Sequence, residues 1–293
     1  MATLCIPREL AERFTEGNRI ALIASFLGPR GGYREFCSQH IPTSMYCDPT
    51  EALHTSPGAE GRNPLPHPRR LSVWVSRWGI EADTPIVVYD EGRGLLAARA
   101  WWLLRYAGFN NVEVLSGGLA AWEAEGLPTI AGPGTLASAS SGRLNNNDAM
   151  IAGLEEARAA AESGGLLIDA RGPARFAGYQ ERRDLKAGHI PGAVNVPARS
   201  TLRKGGAYRT AAEIRDLFFE RGIDDVKGAI VYSGSGYHSS QLLCAMAHAG
   251  LDGARHFVGG WSQWSLTRGL PLERGGAGPD AGHKLTSALE DVG

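Results

Sequence analysis

The chain has few cysteines, no excess of charge of either sign and no long apolar run, and each shortage removes a class of function. Cys5, Cys37, Cys47 and Cys244 are the only cysteines among 293 residues and show no C-x-x-C spacing, so neither a disulfide framework nor a thiolate zinc site is expected. They read as free thiols, small buried hydrophobes in a reducing compartment. Eight histidines form no H-x-x-x-H pair and no His/Cys cluster, which leaves a metal site without support. Lys and Arg total 30 against 31 Asp and Glu, a formal charge of −1, so there is no basic footprint for nucleic acid. No stretch of roughly 18 apolar residues marks a membrane span. Met1 to Leu10 carries Arg8 and Glu9 where a signal peptide needs an apolar core. The expectation is a soluble cytoplasmic protein that uses no metal and no organic cofactor, with no nucleic acid and no membrane among its partners.

What is present is an α/β pattern written twice. At 293 residues, 43% of them hydrophobic, the chain has room for about two cored domains. Arg19 to Leu27, Thr84 to Asp90 and Val112 to Leu115 read as short buried strands, while Pro7 to Phe14, Leu71 to Trp78 and Leu95 to Tyr106 have helical spacing. The second half repeats the programme with strands at Leu166 to Arg171 and Ala229 to Tyr232 and a helix at Ala211 to Gly222. Tyr89-Asp90 aligns with Tyr232-Ser233, Gly117-Gly118 with Gly259-Gly260, and Trp122 with Trp264, at an offset of about 142 residues. Two copies of one domain are expected, each a mainly parallel sheet flanked by helices. The expected division is 1–130, a Gly/Ser/Ala/Asn-rich linker at 131–147, a second domain at 148–275 and a loose tail at 276–293. The tryptophans are expected in the core or between the copies.

The chemistry points to one loop. After the strand ending at Tyr232, residues 233–238 read Ser233-Gly234-Ser235-Gly236-Tyr237-His238, followed by a helix from about Ser239 to His248. Alternating glycines allow backbone N–H groups to turn towards one centre, and the helix N-terminus adds roughly half a positive charge there. Such an anion cradle serves a thiolate best, because the amides depress the thiol pKa and then hold the sulfur. The residue at its start is Ser233, and an alkoxide needs a general base besides. The G-x-S-x-G elbow of serine hydrolases is also missing, since Val231 stands two residues before. A carboxylate-bearing substrate would call for guanidinium groups, for which Arg175, Arg182 and Arg183 are candidates. His238 is a candidate proton carrier or substrate contact, and Asp169 and Arg171 are expected to fix loops at a strand end.

Strand, S-G-S-G-x loop and helix resemble the active-site segment of the tandem rhodanese family, and the Gly-Ser-Gly filling is similar to its 3-mercaptopyruvate sulfurtransferases. His189-Ile-Pro-Gly-Ala-Val-Asn195 and Phe257-Val-Gly-Gly260 are further rhodanese-like signatures. The resemblance implies a persulfide carried at position 233, which a cysteine holds in the family, and therefore no such step with Ser233, whether natural or introduced. It implies a first copy without catalysis, where Asp90 stands at the equivalent place. Ser235 would donate to a sulfur anion, Arg175 and Arg183 would hold the substrate carboxylate, and His40 would reach the cleft from the first copy. The partners so implied are a small-molecule sulfur donor, 3-mercaptopyruvate or thiosulfate, and a thiol or cyanide acceptor. A binding module that kept the cradle and lost the thiol is the alternative. A phosphatase on the same fold is disfavoured, because residues 233–240 contain no Arg to grip phosphate.

Overall fold

The computed structural model describes residues 2–276; the tail expected at 276–293 lies, from residue 277 on, outside the described residues. The first copy comprises β1 (Leu4–Cys5), α1 (Pro7–Thr15), β2 (Ala21–Ala24), α2 (Tyr33–Ser38), β3 (Met45–Tyr46), α3 (Pro68–Arg77), β4 (Ile86–Tyr89), α4 (Leu95–Tyr106), β5 (Val112–Leu115) and α5 (Gly118–Ala124). The second comprises α6 (Leu154–Ser163), β6 (Leu167–Asp169), α7 (Pro173–Phe176), β7 (Val194–Asn195), α8 (Ala211–Phe219), β8 (Ile230–Tyr232), α9 (Tyr237–His248), β9 (Arg255–Phe257) and α10 (Gly260–Leu266). Both sheets are parallel throughout, ordered β1-β5-β4-β2-β3 and β7-β6-β8-β9. The counterpart of β1 in the second copy is reduced to one parallel bridge between Ile151 and His256.

The central strands are short, apolar and buried on both faces, as parallel sheets require. Successive side chains alternate: Ile86 and Val88 face an inner cluster, and Val87 and Tyr89 an outer one. In the second copy Val231 points inward while Ile230 and Tyr232 face their own outer cluster. The inner cluster is continuous between the copies, running from Ile23 and Val88 through Trp102 and Leu242 to Val231 and Val258. Here α4 packs on α9, so the two helices that follow the equivalent loops are buried against each other. Trp102, Trp122, Trp261 and Trp264 are fully buried, in the packing role expected of them.

Two expectations change in detail. The segment 131–147 contains no helix or strand, yet it is pinned along the first copy. Thr135 N–H donates to Ser44 O at 2.8 Å, Ser140 N–H to Ser76 O at 3.0 Å and Asn145 N–H to Ala107 O at 2.9 Å. The last helix before β9 begins at Tyr237 rather than Ser239, because Gly236 at φ 93° forms a left-handed N-cap. Tyr237 and His238 therefore belong to the first turn of α9.

Candidate active site

Ser233 lies at the carboxyl end of β8, where parallel sheets place their ligand sites. It is fully buried. Its carbonyl accepts from Trp261 N–H at 2.7 Å and that of Gly234 from Ser262 N–H at 2.9 Å, so the start of α10 fixes the loop from one side. The two glycines have different reasons. Gly236 is needed for its positive φ. Gly234 marks where two arginines come close, since a Cβ there would stand 2.9 Å from Arg62 Nη2 and 3.3 Å from Arg175 Nη1, the tips of flexible side chains. Ser233 Oγ accepts from Gly236 N–H at 3.2 Å and shares a 3.0 Å hydrogen bond with Ser239 Oγ. Ser235 Oγ accepts from Asn63 Nδ2 at 2.9 Å, which leaves its own O–H as a donor.

The outer face of the loop is roofed by guanidinium groups from both copies. Arg175, on α7, donates to Glu181 Oε1 and Oε2 at 3.0 Å and to Asp184 Oδ2 at 2.9 Å. Arg62, on the long connection between β3 and α3 of the first copy, pairs with the other oxygen of Asp184. Burial lowers the pKa of Arg62, with Arg175 and Arg183 opposing Asp184 and Glu181 around it. Burial raises that of Asp184 despite these cations. Burial pushes Glu181 up, but amide hydrogen bonds from Arg183 and Asp184 and the charge of Arg175 bring it below the usual value. Arg183 is exposed and enters the site through its backbone N–H, 2.9 Å from Glu181 Oε1, and through its charge. The roof is therefore an ion-pair network already neutralised in large part by two carboxylates.

Beneath the loop lies a second polar layer. Ser239 Oγ is 2.6 Å from Nε2 of His256 on β9, which extends the hydrogen-bond chain from Ser233 inward. His256 meets Trp102 edge to face at 4.5 Å. Burial, then the charge of Arg99, drives its pKa well below the usual value, so the ring is neutral. The chain of hydrogen bonds thus joins Ser233 through Ser239 to a neutral ring. Arg99 of α4 is itself fully buried, with Nε donating to Leu53 O at 3.2 Å and Nη2 to Asn63 O at 3.3 Å.

The loop residues Ser233 to His238 and Arg175 thus gather at one place, with Arg183 at its edge. The imidazole that described hydrogen bonds join to Ser233 is that of His256, through Ser239; His238 is half-buried on the first turn of α9. His40 is not in the cleft. It is buried in the first copy, its Nδ1 2.9 Å from Phe36 O and its ring stacked on Phe36 at 4.2 Å, and His189 repeats this with Phe176 at 2.8 and 3.6 Å. Each histidine closes a helix end, so the repeat is structural here. Arg171 likewise spans Asp169 and Gly188 O, at 2.6 and 2.7 Å, and lies over Trp261.

Sequence reasoning missed Arg62, Asn63, Arg99, Ser239 and His256. Two of these carried a signal: at the repeat offset Ser239 and His256 stand where the first copy has Ala97 and Val114, a polar pair replacing an apolar one. Arg99 was hidden inside an apolar helix. Arg62 and Asn63 come from the other copy, and only the tertiary fold brings them in. Cys5, Cys47 and Cys244 are buried, and burial raises all three pKa values, those of Cys5 and Cys244 to about 12.

Comparison with known proteins places this geometry. A family model described as the rhodanese-like domain matches twice, at residues 30–125 and 153–267. A putative thiosulfate sulfurtransferase, SseB, of Mycobacterium tuberculosis is 36% identical over 281 residues, covering 92% of this chain and 96% of the relative. The 3-mercaptopyruvate sulfurtransferase of Escherichia coli is 36% identical over 244 residues, 82% of this chain and 85% of its own. The crystal structure of SseA from Escherichia coli superposes with a TM-score of 0.76 at 31% identity, over 89% of this chain and 100% of that one. With two matched domains, relatives that are sulfurtransferases and a shared parallel α/β architecture, the chain belongs to the rhodanese family as a tandem-domain member.

Proposed function

We propose that the chain is a sulfurtransferase scaffold of the 3-mercaptopyruvate type, with Ser233 at the sulfur-carrying position, and that with this serine it does not turn over. The observation that supports this is the placement of Ser233 Oγ within reach of Gly236 N–H, at the N-terminus of α9 and under Arg62 and Arg175. In a Ser233→Cys form the thiolate attacks the sulfur of 3-mercaptopyruvate and the carbon–sulfur bond breaks. Pyruvate leaves as its enolate and takes up a proton, and the persulfide passes its outer sulfur to a thiol or to cyanide. Arg175 and Arg183, joined by Arg62, attract the substrate carboxylate, and the Ser235 O–H and loop amides hold the sulfur anion. Serine cannot follow this course, because its hydroxyl is not ionised near neutrality and no strong base faces it.

The test is sulfur transfer to cyanide from 3-mercaptopyruvate and from thiosulfate, by the chain and by its Ser233→Cys form. Transfer is expected only from the substituted form, with mercaptopyruvate the better donor. A folded Ser233→Cys protein inactive with both donors would overturn the sulfurtransferase reading in favour of a rhodanese-like module that binds an anion or a partner.

A further inference from the structure

Four arginines surround the Ser233 loop, and their charges are not equally spent. Arg62 and Arg175 share Asp184 and Glu181 as partners, and Arg183 borders the same carboxylates. Arg99 differs. It is fully buried, no carboxylate among the described residues pairs with it, and its Nη1 makes no hydrogen bond with them. That atom points at the underside of the loop: a Cβ on Gly236 would stand 2.8 Å from it. Burial brings its pKa down to about 10, which still leaves it charged at neutral pH. A guanidinium in a dry interior without a counter-charge is strongly unfavourable, and apolar replacements of buried ions are often neutral or stabilising. Within the first copy the guanidinium meets only neutral groups, the carbonyls of Leu53 and Asn63 and the ring of Trp102 at 5.7 Å.

We propose that Arg99 is the cation that holds a small anion in the Ser233 loop, with the roof arginines subordinate; this rests on reading the loop as an anion cradle. The ligand class follows from what surrounds the centre. The Ser235 hydroxyl keeps its O–H to donate and Gly236 N–H meets Ser233 Oγ at the N-terminus of α9, with Arg99 below and the neutralised roof above. Such a shell suits a compact, acceptor-only oxoanion of sulfate or thiosulfate size. Arg99 is stored strain in the free protein and a binding charge in the complex, which separates it from a merely structural arginine.

The test is calorimetric titration of the whole chain, of Arg99→Met and of Arg175→Met with sulfate and with thiosulfate, alongside thermal unfolding of each without added anion. The chain is expected to bind both anions, Arg99→Met to lose affinity by about tenfold or more, and Arg175→Met by less than about threefold, since a paired charge contributes less. Without anion, Arg99→Met is expected to melt at or above the temperature of the parent. Undiminished binding in Arg99→Met overturns the proposal. So does a lowered melting temperature or failure to fold, which would make the guanidinium structural, and so does thiosulfate binding without sulfate binding. None of these assays needs a thiol at position 233, so failure here and failure of Ser233→Cys to transfer sulfur are separate outcomes.

Discussion

At the end of β4, Asp90 turns its carboxylate into its own loop. Oδ1 accepts from Gly92 and Gly94 N–H, both at 2.9 Å, and Oδ2 from Leu96 and Ala97 N–H at 3.1 and 3.3 Å. At the end of β8 the same kind of loop begins with Ser233, whose Oγ takes one amide. The helices that follow exchange partners across the interface. Arg99 of α4 reaches under the second loop, while Gln241, at the equivalent place on α9, donates to Arg93 O of the first loop at 2.8 Å. The first loop carries its own carboxyl group, whose pKa burial raises against the pull of four amides, and a neutral amide beneath. The second carries a neutral hydroxyl and a cation beneath. The first is further closed by the second copy, where Gly206 packs so tightly on Gly92 O that a Cβ would come within 1.9 Å. One backbone thus serves two ends: filled by its own carboxyl group it is a structural lock, and with serine in that place the side chain takes up one amide instead of four.

The largest effect expected from this asymmetry is on stability. Asp90→Asn turns one of the two oxygens that accept four amides into a donor and is expected to cost about 3 kcal/mol in urea denaturation, against about 1 kcal/mol for Ser233→Ala, which removes a hydroxyl that takes one amide. Equal costs would mean that the two loops do not differ in how they are filled. A second difference between the copies is the Ser239 and His256 pair. His256 stays neutral when folded but takes a proton near pH 6.5 when unfolded. Its folded pKa is depressed, so its contribution is present above pH 6.5 and is lost as pH falls, by about 1.4 kcal/mol per pH unit. Ser239→Ala with His256→Val, the residues of the first copy, should abolish that part of the acid sensitivity, read as the difference from the parent between pH 7.5 and 5.5. An unchanged slope would show that His256 does not carry it. The smallest effect concerns Thr43, the one non-glycine residue at positive φ among those described, at 71°, where the second copy has Gly192 at 75°. Thr43→Gly is expected to raise stability by about 0.5 kcal/mol, the relief of the left-handed strain less the entropy of glycine; a loss would mean that the Thr side chain makes up for its backbone.

The fold was largely legible because it rests on local regularities. Helix α4 begins and ends where its apolar spacing does, at Leu95 and Tyr106, and β5 spans Val112 to Leu115 as expected. The repeat of Trp122 and Trp264 extends to their partners, the carbonyls of Pro128 and Pro271 at 2.9 and 2.8 Å. Of the candidate site, the loop and Arg175 were named from the sequence, and the fold brings them together. Arg183 was picked out by its place before a motif, a criterion blind to the fact that Glu181 and Asp184 lie within the same turn of chain and engage the neighbouring guanidinium groups.

By itself the sequence determined a twice-repeated parallel α/β domain and a glycine-bracketed loop with serine at its start, since apolar period, glycine placement and residue identity are properties of neighbours along the chain. Only the tertiary structure decided which charges face that serine. Arg62, Asn63 and Arg99 are more than 130 residues away and reach it because α4 and α9 bury against each other, and whether a guanidinium is free or paired depends on what the fold places within a few ångströms of it.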